Sequence, residues 1–236
     1  MSEHKQSEVE RSLRVDERIP TTAQILQALR GQRYSYEVDR VFVRAATNPK
    51  YIPTASPFLP GRFGPAPETA GADQRLPFTW LYLGIDSLVA AWEGRLVLNN
   101  RGPGTGFHIT RRAEEEGLLA LIRFTRPLQL WNLGEDHGSR LGVHDMISEG
   151  DHAACQLFGE GLREAMLMMP SAERPDGFVY PSRRVKGYPA LALADWAAKE
   201  LFESAEVVIT RFVESEIYAR FRDDSMRTDP PVRDAP

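Results

Sequence analysis

The sequence predicts an α+β fold with a largely antiparallel or mixed sheet. Three observations carry this. FTWLYLGI reads as a strand and feeds directly into DSLVAAWEGRLV, which reads as a helix. LLALIRFTR and PLQLWNL follow as strands before two helices, SRLGVHDMI and HAACQLFGEGLREAMLMM. The late apolar runs DGFVYPS, ALALA and AEVVITRFV read as further strands. Strands and helices mix without regular βαβ alternation, which argues against a Rossmann sheet or an α/β barrel.

The elements are justified in chain order. Residues 1–20 are polar and expected to be flexible. TTAQILQALRG has the marks of a short helix: Thr21 or Thr22 as cap, an apolar stripe of Ile25, Leu26 and Leu29, and Gly31 as stop. Residues 40–45 form a strand rich in β-branched and aromatic residues. Residues 46–78 carry many Pro and Gly, and so long an irregular segment points to a binding loop around Arg62. Asp86 or Ser87 caps the helix after FTWLYLGI, and HITRRAEEEG is a second short helix closed by Gly117. The tail 223–236 is polar, contains proline and is expected to be disordered. The predicted organisation is one domain over 21–222 between a flexible segment and a tail.

Length and composition set outer bounds. A chain of 236 residues, 42% hydrophobic and 26% charged, can bury a full core without staples. The net charge of −4 gives no global pull toward nucleic acid or anionic membrane. The one local basic cluster is Arg183, Arg184 and Lys186. The single cysteine, Cys155, excludes an internal disulfide framework and suits a reducing compartment. It sits in a helical pattern and reads as a small buried hydrophobe. No run approaches the roughly 18 apolar residues of a membrane span. The charged N-terminus lacks the apolar core of a secretory signal, so cytoplasm is the simplest location.

Several chemistries lack their residues. There is no GxGxxG opening a helix after a strand and no GxxxxGK[ST]. The histidines show no HExxH spacing, and one cysteine rules out a thiolate-rich metal site. Asp136, His137, His144 and Asp145 could in principle meet at a metal, but polar surface is the better reading and no metal is expected. Without a GxSxG elbow, Ser-His-Asp hydrolysis has little support.

What remains is a scattered polar set in apolar or glycine-rich surroundings. It comprises Arg44 in VFVRAA, Arg62 in PGRFG, Tyr82 and Glu93 in TWLYLGIDSLVAAWEG, and Ser182 in DGFVYPSRR. A charge in such a place is costly unless paired or used. Each has a plainer reading: Glu93 on a solvated helix face, Tyr82 as a core aromatic, Ser182 as a turn cap. Glycines around Arg62 let backbone approach a ligand, and arginine clamps phosphate bidentately.

Taken in order, these segments resemble the RES family, named for its Arg, Glu and Ser positions. VFVRAA resembles its opening strand, PGRFG its glycine-arginine-aromatic loop, TWLYLGIDSLVAAWE its strand-turn-helix, and DGFVYPSRR its late strand ending in serine. The resemblance spans about residues 38–215. Gly64 stands where members often carry asparagine, and the loop between Arg62 and Tyr82 is longer than in compact members.

The resemblance implies an ADP-ribosyltransferase-like fold, with an NAD cleft between two small sheets. It implies an NAD-consuming toxin that cleaves the nicotinamide–ribose bond by hydrolysis or phosphorolysis, with NAD as substrate. It also implies a partner antitoxin with an Xre-like region that buries part of itself in the active site. Transfer of ADP-ribose to a protein and a non-catalytic interaction module stay open as alternatives, as does the oligomeric state. In the catalytic reading Glu93 stabilises the positive charge developing on the ribose. Arg62 and Arg44 hold pyrophosphate or ribose oxygens, and Tyr82 packs against nicotinamide. Ser182 hydrogen-bonds near the ribose or holds an arginine in place.

Overall fold

The computed structural model describes residues 19–100, 106–134, 136–148 and 152–231. Apart from Ile19 and Pro20, the segment 1–20 lies outside them, as do residues 232–236 of the tail.

Helix α1 (Thr22–Leu29) opens on a capping box in which Thr21 and Gln24 bond reciprocally. Strands β1 (Arg33–Tyr36) and β2 (Val41–Ala46) follow. Residues 47–79 are irregular, broken by 3-10 turns at Pro49–Tyr51 and Pro67–Thr69. Next come β3 (Trp80–Gly84), α2 (Ser87–Glu93), and the short strands β4 (Val97–Asn99) and β5 (Phe107–Ile109). Then follow α3 (Arg111–Glu116), β6 (Leu118–Arg123) and β7 (Leu128–Asn132). Helices α4 (His137–Arg140), α5 (His144–Ser148) and α6 (His152–Leu167) lead to β8 (Gly177–Pro181) and β9 (Pro189–Ala194). The chain closes with α7 (Asp195–Ser204), β10 (Glu206–Arg211) and α8 (Glu216–Arg222).

Eight strands form one sheet in the order β1-β7-β8-β9-β3-β2-β6-β10, and β4 pairs with β5 separately. Only β7 and β8 run parallel; the other pairs are antiparallel. The architecture is therefore α+β on a curled mixed sheet. The expectation of a cleft between two small sheets needs correction, because the strands on both sides of it, all but β4 and β5, are hydrogen-bonded into one sheet. The join is narrow: β2 and β3 share a single register pair, Val43 with Gly84.

Side-chain alternation shows how that seam makes a cleft. On one face Phe42, Leu81, Leu83, Ile122, Leu191 and Leu193 merge into a continuous core beneath Ala197, Ala198 and Leu201 of α7. The opposite face is split. Trp80, Phe178, Tyr180 and Ala192 pack with Phe158 and Leu162 of α6 and Ile25 of α1. Val43 and Leu119 pack instead with Ala90 and Ala91 of α2, Phe107 of β5 and Phe221 of α8. The cleft lies between these two clusters.

Several elements differ from expectation. The helix from Asp86 stops at Glu93, and RLV turns into β4. In HITRRAEEEG only Arg111–Glu116 is helical, because Thr110 accepts from Ala113 N–H at 3.1 Å and its predecessors pair with β4. SRLGVHDMI divides at Gly142, whose φ of +75° ends α4. Strand β1 and helices α7 and α8 were not expected. The tail does not become irregular at 223. Phe107 N–H donates to Met226 O at 3.2 Å and Thr228 N–H donates to Phe107 O at 2.8 Å, which holds 226–228 against β5.

No helix among the described residues is long and apolar enough to cross a membrane.

Candidate functional site

The cleft has a volume of about 390 Å³, within the roughly 300–1,000 Å³ common for small-molecule sites. Four of the five residues singled out from the sequence line it: Arg44, Arg62, Tyr82 and Glu93. The fifth, Ser182, is buried at its edge and donates to Glu93 Oε1 at 2.6 Å. Five residues from four separate stretches of chain thus converge on one place.

The turn that carries Arg62 is fixed from three sides. Gly64 N–H donates to Gly61 O at 3.1 Å, closing a β-turn over GRFG. Phe63 N–H donates to Tyr82 Oη at 3.0 Å. The Phe63 ring is fully buried, edge-on to Phe178 and Tyr180 at 5.1 Å from each. Two glycines are demanded by close approach. A Cβ on Gly61 would lie 2.4 Å from Tyr82 Cε2, and one on Gly159 of α6 would lie 2.0 Å from Phe63 O. Arg62 is only 8% exposed, and its Nη2 donates to Ile147 O at the end of α5.

Glu93 ends α2, which is started by Asp86 Oδ1 accepting from Val89 N–H at 2.8 Å. Ser182 fixes the carboxylate. Its Oγ accepts from Arg184 N–H at 3.2 Å and Val185 N–H at 3.0 Å. A hydroxyl has two lone pairs and one proton, so the remaining proton goes to Glu93. Ser182 is thus both the turn cap and the holder of a site residue, and that residue is the glutamate, not an arginine.

Two of these residues have structural partners as well. Arg44 was expected to hold pyrophosphate or ribose oxygens. Its Nε donates to Tyr51 O at 2.6 Å, Nη1 to Tyr82 O at 2.7 Å and Nη2 to Thr54 O at 3.3 Å. Where β2 and β3 have only one register pair, the guanidinium supplies the missing donors, so Arg44 braces the seam beneath the cleft. Burial lowers its pKa to about 10, which leaves it charged at neutral pH. Tyr82 Oη receives Phe63 N–H at 3.0 Å, so it holds the Arg62 turn and keeps its own proton to donate. Burial raises the hydroxyls of Tyr82 and Tyr180, so both stay protonated.

Sequence reasoning missed Arg95, His152 and Tyr180 as cleft residues, whereas the basic cluster of Arg183, Arg184 and Lys186, read as explained by phosphate binding in an NAD cleft, does place its two arginines in the lining. His152 begins α6, and its Nε2 lies 3.1 Å from Arg183 Nη2. Burial, then Arg183 and Arg62, hold the imidazole below the usual histidine range. Burial and then Arg62 lower Arg183, with Glu93 pulling the other way. The lining set contains five arginines and one carboxylate, Glu93. In a chain of net charge −4, this concentration of cations is local, and it suits an anionic ligand.

His137 Nε2 contacts Gln32 Oε1 at 2.8 Å, and among the described residues no group of three or more His, Cys, Asp or Glu is placed to hold a metal. Cys155 is buried in α6 and donates to Met146 O at 3.3 Å.

No family model, no curated protein and no solved structure matches this chain.

Proposed function

We propose that this chain cleaves the nicotinamide–ribose bond of NAD, as a RES-type toxin with an ADP-ribosyltransferase-like fold. The observation that carries the reading is the 2.6 Å hydrogen bond from Ser182 to Glu93, set in a cleft where every other charged lining residue is an arginine. A dinucleotide needs cations for its pyrophosphate and one fixed carboxylate beside the scissile ribose. The curled sheet with a cleft on one face supports the fold assignment.

In this reading Arg62 and Arg183 face the pyrophosphate, where guanidinium forks match phosphate oxygens. Glu93 lies beside the nicotinamide ribose. The C1′–N bond breaks, and its electron pair neutralises the pyridinium as nicotinamide leaves. The carboxylate stabilises the positive charge that develops on C1′ and O4′. Water or phosphate then adds to C1′ and gives up a proton. Ser182 holds Glu93 in the acting orientation, so its contribution is positional. Tyr82 supports the Arg62 turn. An Xre-like antitoxin would cover the cationic cleft, and the cytoplasm, where NAD is plentiful, is the place of action.

The test is nicotinamide release from NAD by the protein made by cell-free synthesis, with Glu93→Gln as control. Release by the parent chain and loss of at least 100-fold in Glu93→Gln is expected. Equal release by both, or none from either with water, phosphate or cell extract as acceptor, would overturn the reading. Label from NAD found on protein would redirect it to ADP-ribosyl transfer.

A further inference from the structure

We propose that Arg95 and Arg184 together form a subsite for a phosphate dianion, either free or as a terminal phosphate monoester on the bound nucleotide. The starting point is backbone geometry. Helix α2 ends in a Schellman motif: Leu96 N–H donates to Ala91 O at 3.0 Å and Arg95 N–H to Trp92 O at 3.2 Å. The left-handed position of that motif is ordinarily glycine. Here it is Arg95, at φ +60°, immediately after a glycine that is not used there. A non-glycine residue held in this region is strained, and such strain gathers at functional sites.

The side chains supply the second, independent observation. Several arginines elsewhere in this protein have acidic partners: Arg123 with Glu206 at 3.0 Å, Arg126 with Asp176 at 2.8 Å, Arg163 with Asp195 at 2.8 Å. Arg95 and Arg184 both line the cleft. Neither guanidinium makes a hydrogen bond or ion pair among the described residues. Arg184 is half-buried, and leaving a half-buried cation unpaired is costly unless a ligand completes it.

The Ser182–Glu93 hydrogen bond joins the two segments that carry the pair. Arg95 follows Glu93 and Arg184 follows Ser182 at the same sequence separation. The 2.6 Å bond therefore ties together two segments that each present a guanidinium to the same cavity. Two forks facing one space suit a dianion, which offers three oxygens to bidentate donors. Arg62 and Arg183 remain for the singly charged phosphates of a pyrophosphate. The free-phosphate source stands on geometry alone; the nucleotide source rests on the NAD reading, with a phosphorylated ribose as the distinguishing group.

The experiment is calorimetric titration of the full chain with inorganic phosphate, alongside Arg95→Gly, Arg184→Gln and, as a control outside the cleft, Arg112→Gln. NAD and NADP are titrated in the Glu93→Gln background. Arg95→Gly removes the strain as well as the charge, so its melting temperature should rise, and loss of binding there is not loss of fold. The expected result is phosphate affinity weakened roughly 10-fold or more in both cleft variants and unchanged in Arg112→Gln. A preference for NADP over NAD that disappears in Arg95→Gly identifies the nucleotide as the source. Phosphate binding with NAD already bound identifies the free ion. If phosphate binding is lost in the variants while NAD does not bind at all, the subsite stands and the NAD reading falls. Arg95→Gly and Arg184→Gln that match the parent chain for phosphate and for the NADP-to-NAD ratio would overturn the proposal.

Discussion

Ser182 gives its only hydroxyl proton to Glu93 Oε1, 2.6 Å away, because the amides of Arg184 and Val185 occupy its lone pairs. Ser182→Ala therefore removes the donor that orients the carboxylate and strands two backbone N–H groups. A hydrogen bond to a charged acceptor is worth about 1.5–3 kcal/mol, so turnover of NAD should fall roughly 10- to 100-fold. In the proposed NAD reading the effect should appear in kcat, with KM changed little, since the pyrophosphate is there assigned to Arg62 and Arg183 and not to Ser182. Parallel rates for Ser182→Ala and the parent chain would remove Glu93 orientation from the mechanism.

Arg44 predicts the opposite pattern. Three of its five N–H donors go to the carbonyls of Tyr51, Tyr82 and Thr54, so it braces the sheet. Arg44→Met should destabilise the fold by about 2–4 kcal/mol in urea unfolding. KM for NAD should stay within a few-fold of the parent value under conditions where the variant is folded. Arg44→Lys should recover little, because one ammonium cannot reach carbonyls in three directions. A large rise in KM without loss of stability would restore the pyrophosphate role.

These two cases show what the sequence could and could not reveal. Ser182, Glu93, Arg62 and Tyr82 were found because a polar residue in an apolar or glycine-rich stretch is conspicuous, and the cleft does gather them. Arg44 was found by the same signal, but a buried charge satisfied by backbone carbonyls looks identical in sequence to one waiting for a ligand. Arg95 escaped because it follows Gly94 in an ordinary helix ending, and a positive φ leaves no mark on residue type. Helix α7 escaped because ALALADWAA reads as one apolar run, and only pairing of Pro189–Ala194 with β3 and β8 shows where the strand stops. Strand β1 was missed because its residues are mostly exposed, so it has no inside-outside alternation to read.

Gly61 and Tyr82 offer a test of how the Arg62 turn is held. A Cβ at position 61 would lie 2.4 Å from Tyr82 Cε2 and 2.6 Å from its hydroxyl. Gly61→Ala must therefore displace the ring, the turn, or both, at about 1–3 kcal/mol. In a Tyr82→Ala background the three atoms nearest the added methyl are removed, so its cost should fall well below that in the parent chain. A double-mutant cycle on urea midpoints measures the difference. Additive costs would mean that the ring does not position the turn.

His152 sets a pH dependence whose sign follows from its surroundings. Burial, then the charges of Arg183 and Arg62, lower its pKa in the folded protein. The folded state thus binds its proton less readily than the unfolded chain, where histidine titrates near 6.5. Stability from this group is present in full above about pH 6.5 and is lost as pH falls through the lower folded value. Neutral imidazole can accept from Arg183 Nη2 at 3.1 Å; protonated imidazole cannot, and it adds a cation to a cleft already rich in them. Melting temperature measured from pH 8 to pH 5 should fall more for the parent chain than for His152→Gln. An anion in the cleft would oppose the loss, so added phosphate should flatten the parent curve. Superimposable curves for the two proteins would show that His152 is not the titrating group.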